Sequence, residues 1–374
     1  MKLFKRKNDR AAPELIPASR EAESCPVLPF SADPVEKELF DRLRRAVPIV
    51  DAAVMKIIRL TGGFRLVCSD EKMQAALDEF CDNVPVGLTG RSVNTFADNF
   101  LDSLLTYGSA VGEIVPDTDN SRIAGLWIAD PSRITVSAGS SPFTREYALR
   151  QSDGSVKKLT HPENIIYASL TGGVSLLRGL PALSGILMRI YQCIGQNFDR
   201  AGNVRYAVTY KPENGSELTN TREHAMQIAR EWADGMNSAK YGQVKDFVAV
   251  GDVDIKVIGA DNQFYDTNIP VRQLLEQIVA KLSIPPFLLG LSWSSTERMS
   301  SQQADILTSE LEYYRRLLTP VIRDIGRSFL RSSGSDADCT VEWENINLQD
   351  ESVLAETRLK NAQAREIELR LGDE

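Results

Sequence analysis

The sequence predicts an α+β fold in which helical and strand-rich segments follow one another in blocks. Three observations carry this prediction. Ile269–Pro320 reads as two helices on either side of a double proline. Arg122–Tyr167 alternates apolar and polar residues between turn signals. From Gly179 the chain enters a helix–strand–helix excursion broken by the turn Lys211-Pro212-Glu213-Asn214-Gly215.

The first observation is the most specific. Pro270 sits near the first turn of a helix in which Leu274, Ile278 and Leu282 share a face, with Leu275 and Val279 beside them. Pro285 and Pro286 stop that helix, because neither donates a backbone hydrogen bond and each restricts the residue before it. Phe287, Leu288 and Gly290 complete an apolar knuckle, with glycine expected where a side chain would not fit. A second helix is expected from near Glu297 or Ser300 to Thr319-Pro320, with a restart or bend after Pro320.

Elsewhere, residues 1–33 carry Pro13, Pro17, Pro26 and Pro29 without periodicity and read as a flexible arm. Residues 34–60 read as helical, interrupted or restarted at Pro48, and Phe64–Cys68 as a short strand. Helices are expected over 71–82 and 92–107, the latter closed by Gly108, followed by a strand at Ser109–Val115. The strand-rich block contains Ile123–Ala129, Ile134–Ser137, Tyr147–Arg150, Val156–Leu159 and Ile165–Tyr167. A helix to about Phe198, an extended Arg205–Tyr210 and a helix capped by Asn220 or Thr221 come next. Two strands are expected within Ala239–Ile258, then a polar loop, Gly259–Asn268. Near the end, Cys339–Trp343 reads as a strand and 350–371 as a charged helix.

Composition narrows the function classes. The chain has 374 residues, 43% hydrophobic and 25% charged, enough for several domains or one layered subunit. No run approaches the roughly 18–20 apolar residues that cross a bilayer. A net charge of -8 argues against gripping nucleic acid over the whole surface. Five scattered cysteines beside His161 and His224 show no metal-ligand spacing, and a reduced, cytoplasmic chain fits them. There is no phosphate-binding Gly-x-x-x-x-Gly-Lys-Ser/Thr loop, no Gly-x-Ser-x-Gly elbow and no His-Glu-x-x-His pair. No catalytic, cofactor or metal residue is therefore assigned, and Asp252 with Asp254 is read as a solvated strand.

Helix, Ile284-Pro285-Pro286-Phe287-Leu288-Leu289-Gly290, Gln302-Gln303, then a long helix reaching Leu318-Thr319-Pro320 resembles the portal proteins of tailed bacteriophages and prophages. Tyr107-Gly108-x-Ala110 and Leu126–Ile134 extend the resemblance. The family's Gly-x-Ser-Pro-Leu segment could fall at Gly173-x-Ser175 or at Gly179-x-Pro181. The resemblance implies a portal fold: a wing (34–178), stem helices with a small clip excursion (179–236), a strand pair with channel loop and hinged long helices (237–331), and a short helical crown (332–374).

It further implies a closed ring of about twelve copies at the unique capsid vertex, assembled in the bacterial host cytoplasm, without catalysis or cofactor. Double-stranded DNA would pass non-specifically. Partners would be the terminase large subunit, a head-completion or connector protein, and capsid or scaffolding protein, with no membrane. The expected hinge is Pro285, Pro286, Phe287, Leu288, Gly290 and Pro320. Expected channel or subunit contacts are Arg189, Arg200, Arg205, Asn262, Gln263 and Asp266. The alternative is a non-viral helical assembly protein or, further off, a hydrolase or nuclease sharing only the double-proline hinge.

Overall fold

The computed structural model describes residues 34–119, 121–139, 144–151, 153–202, 205–211, 218–239, 252–258, 266–291, 297–346 and 363. The chain divides into two units, one formed by residues up to Gly185 together with those from Gln273 onward, the other by Ile186–Arg272.

The first unit opens with α1 (Pro34–Ala46) and α2 (Pro48–Thr61). Pro48 starts the second helix at its first position, where a missing N–H costs nothing. Next come β1 (Phe64–Cys68), α3 (Glu71–Asn83), β2 (Pro85–Val86), β3 (Gly90–Arg91) and α4 (Val93–Tyr107). Asp70 caps α3 by accepting from the Lys72 N–H, and Ser92 caps α4 by accepting from Thr95. β4 (Ser109–Pro116), β5 (Ile123–Ala129), β6 (Ile134–Ala138), β7 (Arg145–Arg150), β8 (Val156–Lys158) and β9 (Ile165–Ser169) complete the strand-rich block.

Two sheets result, in the orders β3-β2-β5-β4-β9 and β6-β7-β8. β4 pairs on both edges, so its Ala110, Val111 and Ile114 are buried. Helix α4 lies against it, bringing Phe96, Phe100 and Leu104 to zero exposure. Full burial of such a side chain contributes about 1.5–3 kcal/mol. Val111, Ile134, Val136 and Tyr147 form a second cluster, with Tyr167 packed against it.

α5 (Leu180–Gly202) begins in the first unit. The second unit holds β10 (Arg205–Lys211), α6 (Leu218–Ala239) and β11 (Asp252–Ile258). β10 and β11 pair antiparallel from Arg205↔Ile258 to Lys211↔Asp252. α6 begins at Leu218, so Asn220 and Thr221 lie inside it and do not cap it. The strand expected within 246–250 falls outside the described residues, as does the charged helix expected over 350–371 except for residue 363.

The chain returns through α7 (Asn268–Leu282), a 3-10 turn (Pro286–Leu289), α8 (Glu297–Ser332) and β12 (Cys339–Trp343). The restart expected after Pro320 does not occur, because α8 runs through that proline for 36 residues. Pro320 cannot donate to the Arg316 carbonyl, a defect that ordinarily costs about 3 kcal/mol. Packing outweighs it: Leu318, Val321, Ile322 and Ile325 are all buried around the defect. Thr319 anchors the same turn, donating to the Arg315 carbonyl at 2.7 Å and accepting from Trp343 Nε1 at 3.1 Å. β12 then pairs with β1, from Phe64↔Trp343 to Cys68↔Cys339.

Candidate functional site

The corner between α7 and α8 is built in steps. α7 buries Ile278, Val279 and Leu282 of the predicted apolar face, while Leu274 and Leu275 are half-buried. Ser283 leaves the helix at φ 53°, and Ile284 and Pro285 are buried behind it. The turn Pro286–Leu289 rests on α2 and is closed by Gly290 at φ 75°. The Gly290 N–H donates to the Phe287 carbonyl at 3.1 Å, and the Leu291 N–H donates to the Pro286 carbonyl at 3.1 Å.

Two expectations about this corner need correction. Among the described residues a Cβ placed on Gly290 would meet nothing within 4 Å, so what demands glycine there is its left-handed backbone. Phe287, expected inside an apolar knuckle, is 38% exposed, while Leu288 is half-buried. Pro320, assigned to the same hinge through the family resemblance, lies exposed in mid-α8.

From the corner, α8 passes across α2 and α4 on a face of Ala304, Leu307, Leu311, Tyr314 and Leu318. Arg315 ties it to α2: Nε and Nη2 donate to the Thr61 carbonyl at 2.8 and 2.5 Å. A cation at a helix C-terminus complements the helix dipole. The same guanidinium lies 5.0 Å from the Trp343 ring centre, joining α2, α8 and β12 at one point. Burial lowers the Arg315 pKa from its ordinary value. Sequence reasoning missed Arg315, because within Tyr313-Tyr314-Arg315-Arg316 nothing distinguishes it from its exposed neighbour Arg316.

A second polar assembly links α1, α2 and α4. Arg44 Nε donates to Asp51 at 2.8 Å, and Nη1 donates to Asp102 at 2.5 Å and to the Thr106 hydroxyl at 2.8 Å. Burial opposes the Arg44 charge, but Asp102 and Asp51 more than offset it and raise the pKa. Nearby, Tyr107 donates to Asp41, and Lys37 pairs with Asp41 at 3.4 Å and Asp130 at 3.5 Å. Burial, with Asp41 and Asp102 adding to it, pushes the Tyr107 phenol well above its usual range. A cleft of about 430 Å³ opens here, lined by Lys37, Asn99, Asp102, Tyr107, Trp127 and Asp130. Its carboxylates accept from cations or hydroxyls, an arrangement that fastens three helices together. Among the described residues no group of three or more His, Cys, Asp or Glu is placed to hold a metal ion.

The expected channel or subunit contacts fall on different elements or outside the described residues. Arg189 is exposed on α5. Arg200 lies on α5 and Arg205 opens β10. Asn262 and Gln263 lie outside the described residues. Asp266 accepts from the Asn268 N–H at 2.9 Å, a helix-capping contact at the start of α7. Of the two candidate Gly-x-Ser-Pro-Leu segments, the one at Gly173-x-Ser175 contains a buried, hydrogen-bonded serine. Ser175 is buried and donates to the Thr106 carbonyl at 2.6 Å while accepting from the Leu177 N–H at 2.9 Å. That contact ties the segment to the end of α4, next to Tyr107-Gly108.

The double-proline corner, the long helix that follows it and the α4–Gly108–β4 unit all lie within one region of family similarity. Residues 90–363 match the family model described as phage portal protein. The match runs far beyond the hinge and defines the class as a structural component of phage particles. The chain belongs to the phage portal protein family.

Three solved structures share the fold. One is the virion of the native gene transfer agent (GTA) particle, with TM-score 0.61 and 15% identity, covering 90% of this chain and 90% of that one. The neck of the empty GTA particle, computed with C6 symmetry, gives TM-score 0.62 and 15% identity over 89% and 90%. The neck of the native GTA particle, computed with C12 symmetry, gives 0.59 and 16% over 89% of each chain. No curated protein matches the chain.

Proposed function

We propose that this portal subunit closes with about eleven further copies into a ring at the capsid vertex, around a channel for double-stranded DNA. Family membership over residues 90–363 is the observation that carries this reading. The C12 symmetry of a GTA neck with the same fold supports the copy number. A closed ring makes head-to-tail contacts self-terminating, so assembly stops at a defined size. The wing, stem, clip and crown divisions belong to the same proposal, with Arg189, Arg200, Arg205, Asn262, Gln263 and Asp266 at channel or subunit contacts. Pro285, Pro286, Phe287, Leu288 and Gly290 set the corner, and Pro320 lies further along the second helix.

A net charge of -8 suits a conduit, since an acidic wall repels phosphates and prevents sticking. The partners that fit this role are the terminase large subunit during packaging, then a head-completion or connector protein. Capsid or scaffolding protein would contact the outside, during assembly in the host cytoplasm. The test is native mass spectrometry of the full chain, alone and co-expressed with its capsid protein, with electron-microscope class averages. A ring of about twelve subunits with a central hole is expected. Monomers or open chains of subunits in both preparations would overturn the proposal.

A further inference from the structure

We propose that Cys68 and Cys339 are a redox-responsive pair that closes into a disulfide, stapling β1 to β12. The inference rests on strand register and stands independently of the ring. The two residues are direct partners in the antiparallel ladder. The Ser69 N–H donates to the Asp338 carbonyl at 3.1 Å, and the Glu344 N–H donates to the Gly63 carbonyl at 3.0 Å. These bonds mark 69/338 and 63/344 as hydrogen-bonded positions, so 68/339 alternates into a non-hydrogen-bonded one. Such pairs hold their Cα atoms roughly 4.5 Å apart with side chains on one face. That spacing lies inside the about 4.4–6.8 Å range that disulfides span.

The surroundings agree. Phe64, Leu66 and Cys68 form the buried face of β1. On the opposite strand, Cys339 is 1% exposed. Cys339 and Leu66, the latter on the same face of β1 as Cys68, pack against α8: a Cβ at Gly326 would come within 2.7 Å of Cys339 Sγ and 2.9 Å of a Leu66 methyl. Both thiols are free. A third thiol, Cys81 on α3, is close enough to Cys339 for their charges to interact, and burial first of all pushes its pKa up to about 12. Cys81 sits on a helix and lacks the cross-strand register, so it is the competitor the experiment must exclude.

The chemistry is thiol–disulfide exchange with a small disulfide such as oxidised glutathione. Cys68, at 8% exposure the more accessible of the two, attacks as thiolate and releases one glutathione thiol. Cys339 then attacks the mixed disulfide at Cys68 and releases the second. One S–S bond forms in the protein and one is reduced in glutathione, so two electrons and two protons balance. In a reducing compartment the pair stays open, and outside it the pair closes. The closed bond would join residues far apart in sequence and so constrain the unfolded chain strongly.

The test uses the full chain, purified reduced and treated while folded with oxidised glutathione in mildly alkaline buffer. Peptides are then mapped without reduction. A cross-linked peptide joining Cys68 to Cys339 is expected. The melting temperature should rise by on the order of 5 °C, reversibly with dithiothreitol, and not in Cys339→Ser. Separate glutathione adducts on Cys68 and Cys339, or a Cys81–Cys339 link, would overturn the proposal. The wild-type peptide map decides the matter whether or not the serine variant folds.

Discussion

Gly108 and Gly290 adopt almost the same backbone, at φ 81° and φ 75°, and each ends a helical turn. Their surroundings differ completely. A Cβ on Gly108 would lie 2.5 Å from the Ser175 nitrogen and the Val174 carbonyl carbon, and would also meet the Gly173 oxygen. A Cβ on Gly290 would meet nothing within 4 Å among the described residues. The first glycine is demanded twice, by dihedral and by contact, and the second only once. The α4–β4 junction is a packed joint stitched by the Leu170 N–H to the Gly108 carbonyl at 2.9 Å and the Leu176 N–H to the Leu105 carbonyl at 3.1 Å. The α7–α8 corner is anchored by buried Ile284 and Pro285 and rests on α2, while its closing glycine is demanded by backbone preference.

The largest effect should follow from Gly108→Ala. Left-handed strain adds to a collision with main chain that no rotamer change relieves, for a loss of about 3 kcal/mol or more. Urea unfolding of the full chain measures it, and a loss below about 1 kcal/mol would mean that residues 173–175 yield easily. Gly290→Val should cost less, about 2 kcal/mol, because only the dihedral is violated. Gly290→Asn sharpens the point: asparagine tolerates the left-handed region, so its cost should stay under about 1 kcal/mol. Equal losses for Val and Asn would sink the dihedral explanation.

The two proline sites extend the contrast. Pro285 and Pro286 follow a helix that Ser283 has already left at φ 53°, whereas Pro320 is carried through by buried neighbours on both sides. Pro320→Ala restores the bond to the Arg316 carbonyl and should raise stability by about 1 kcal/mol, part of the interior-proline penalty having been relieved by solvent at this exposed position. A destabilised Pro320→Ala would show that the ring itself is packed against something, contrary to its exposure.

Local signals explain what was legible in the sequence. Helix caps, glycine ends and alternating strands depend on near neighbours, so α1 to α4 and β4 to β9 fall close to their expected places. The helix break at the double proline was equally readable, since proline acts on its own residue and the one before, but the exposure of Phe287 and the reason for Gly290 were not. What escaped depends on partners distant in sequence. Pro320 looks like a stop until the buried residues around it are seen. Arg315 finds Thr61 across a sequence separation of 254. Ser175 gains its role only when the end of α4 is beside it, and Cys68 meets Cys339 only through the β1–β12 ladder. The Asn220 or Thr221 cap failed because a capping residue type occurs equally well one turn inside a helix.

The smallest effect is expected at the rim of the packed region, where Arg327 donates to both Asp338 oxygens at 2.7 and 2.9 Å on an exposed surface. This contact, with help from the Cys339 N–H, holds the Asp338 carboxyl down at about 2. The folded pKa is depressed, so the contribution is complete above the unfolded value of about 3.9 and disappears as pH falls towards about 2. Solvent screening keeps such a pair weak. Arg327→Ala should therefore move the Asp338 titration up towards about 3.9, followed by carbon-detected NMR, while stability at neutral pH hardly changes. A large loss at neutral pH would mean that Arg327 braces β12 through its packed stem more than through its charge, and the packed side of the comparison would then extend to the molecular surface.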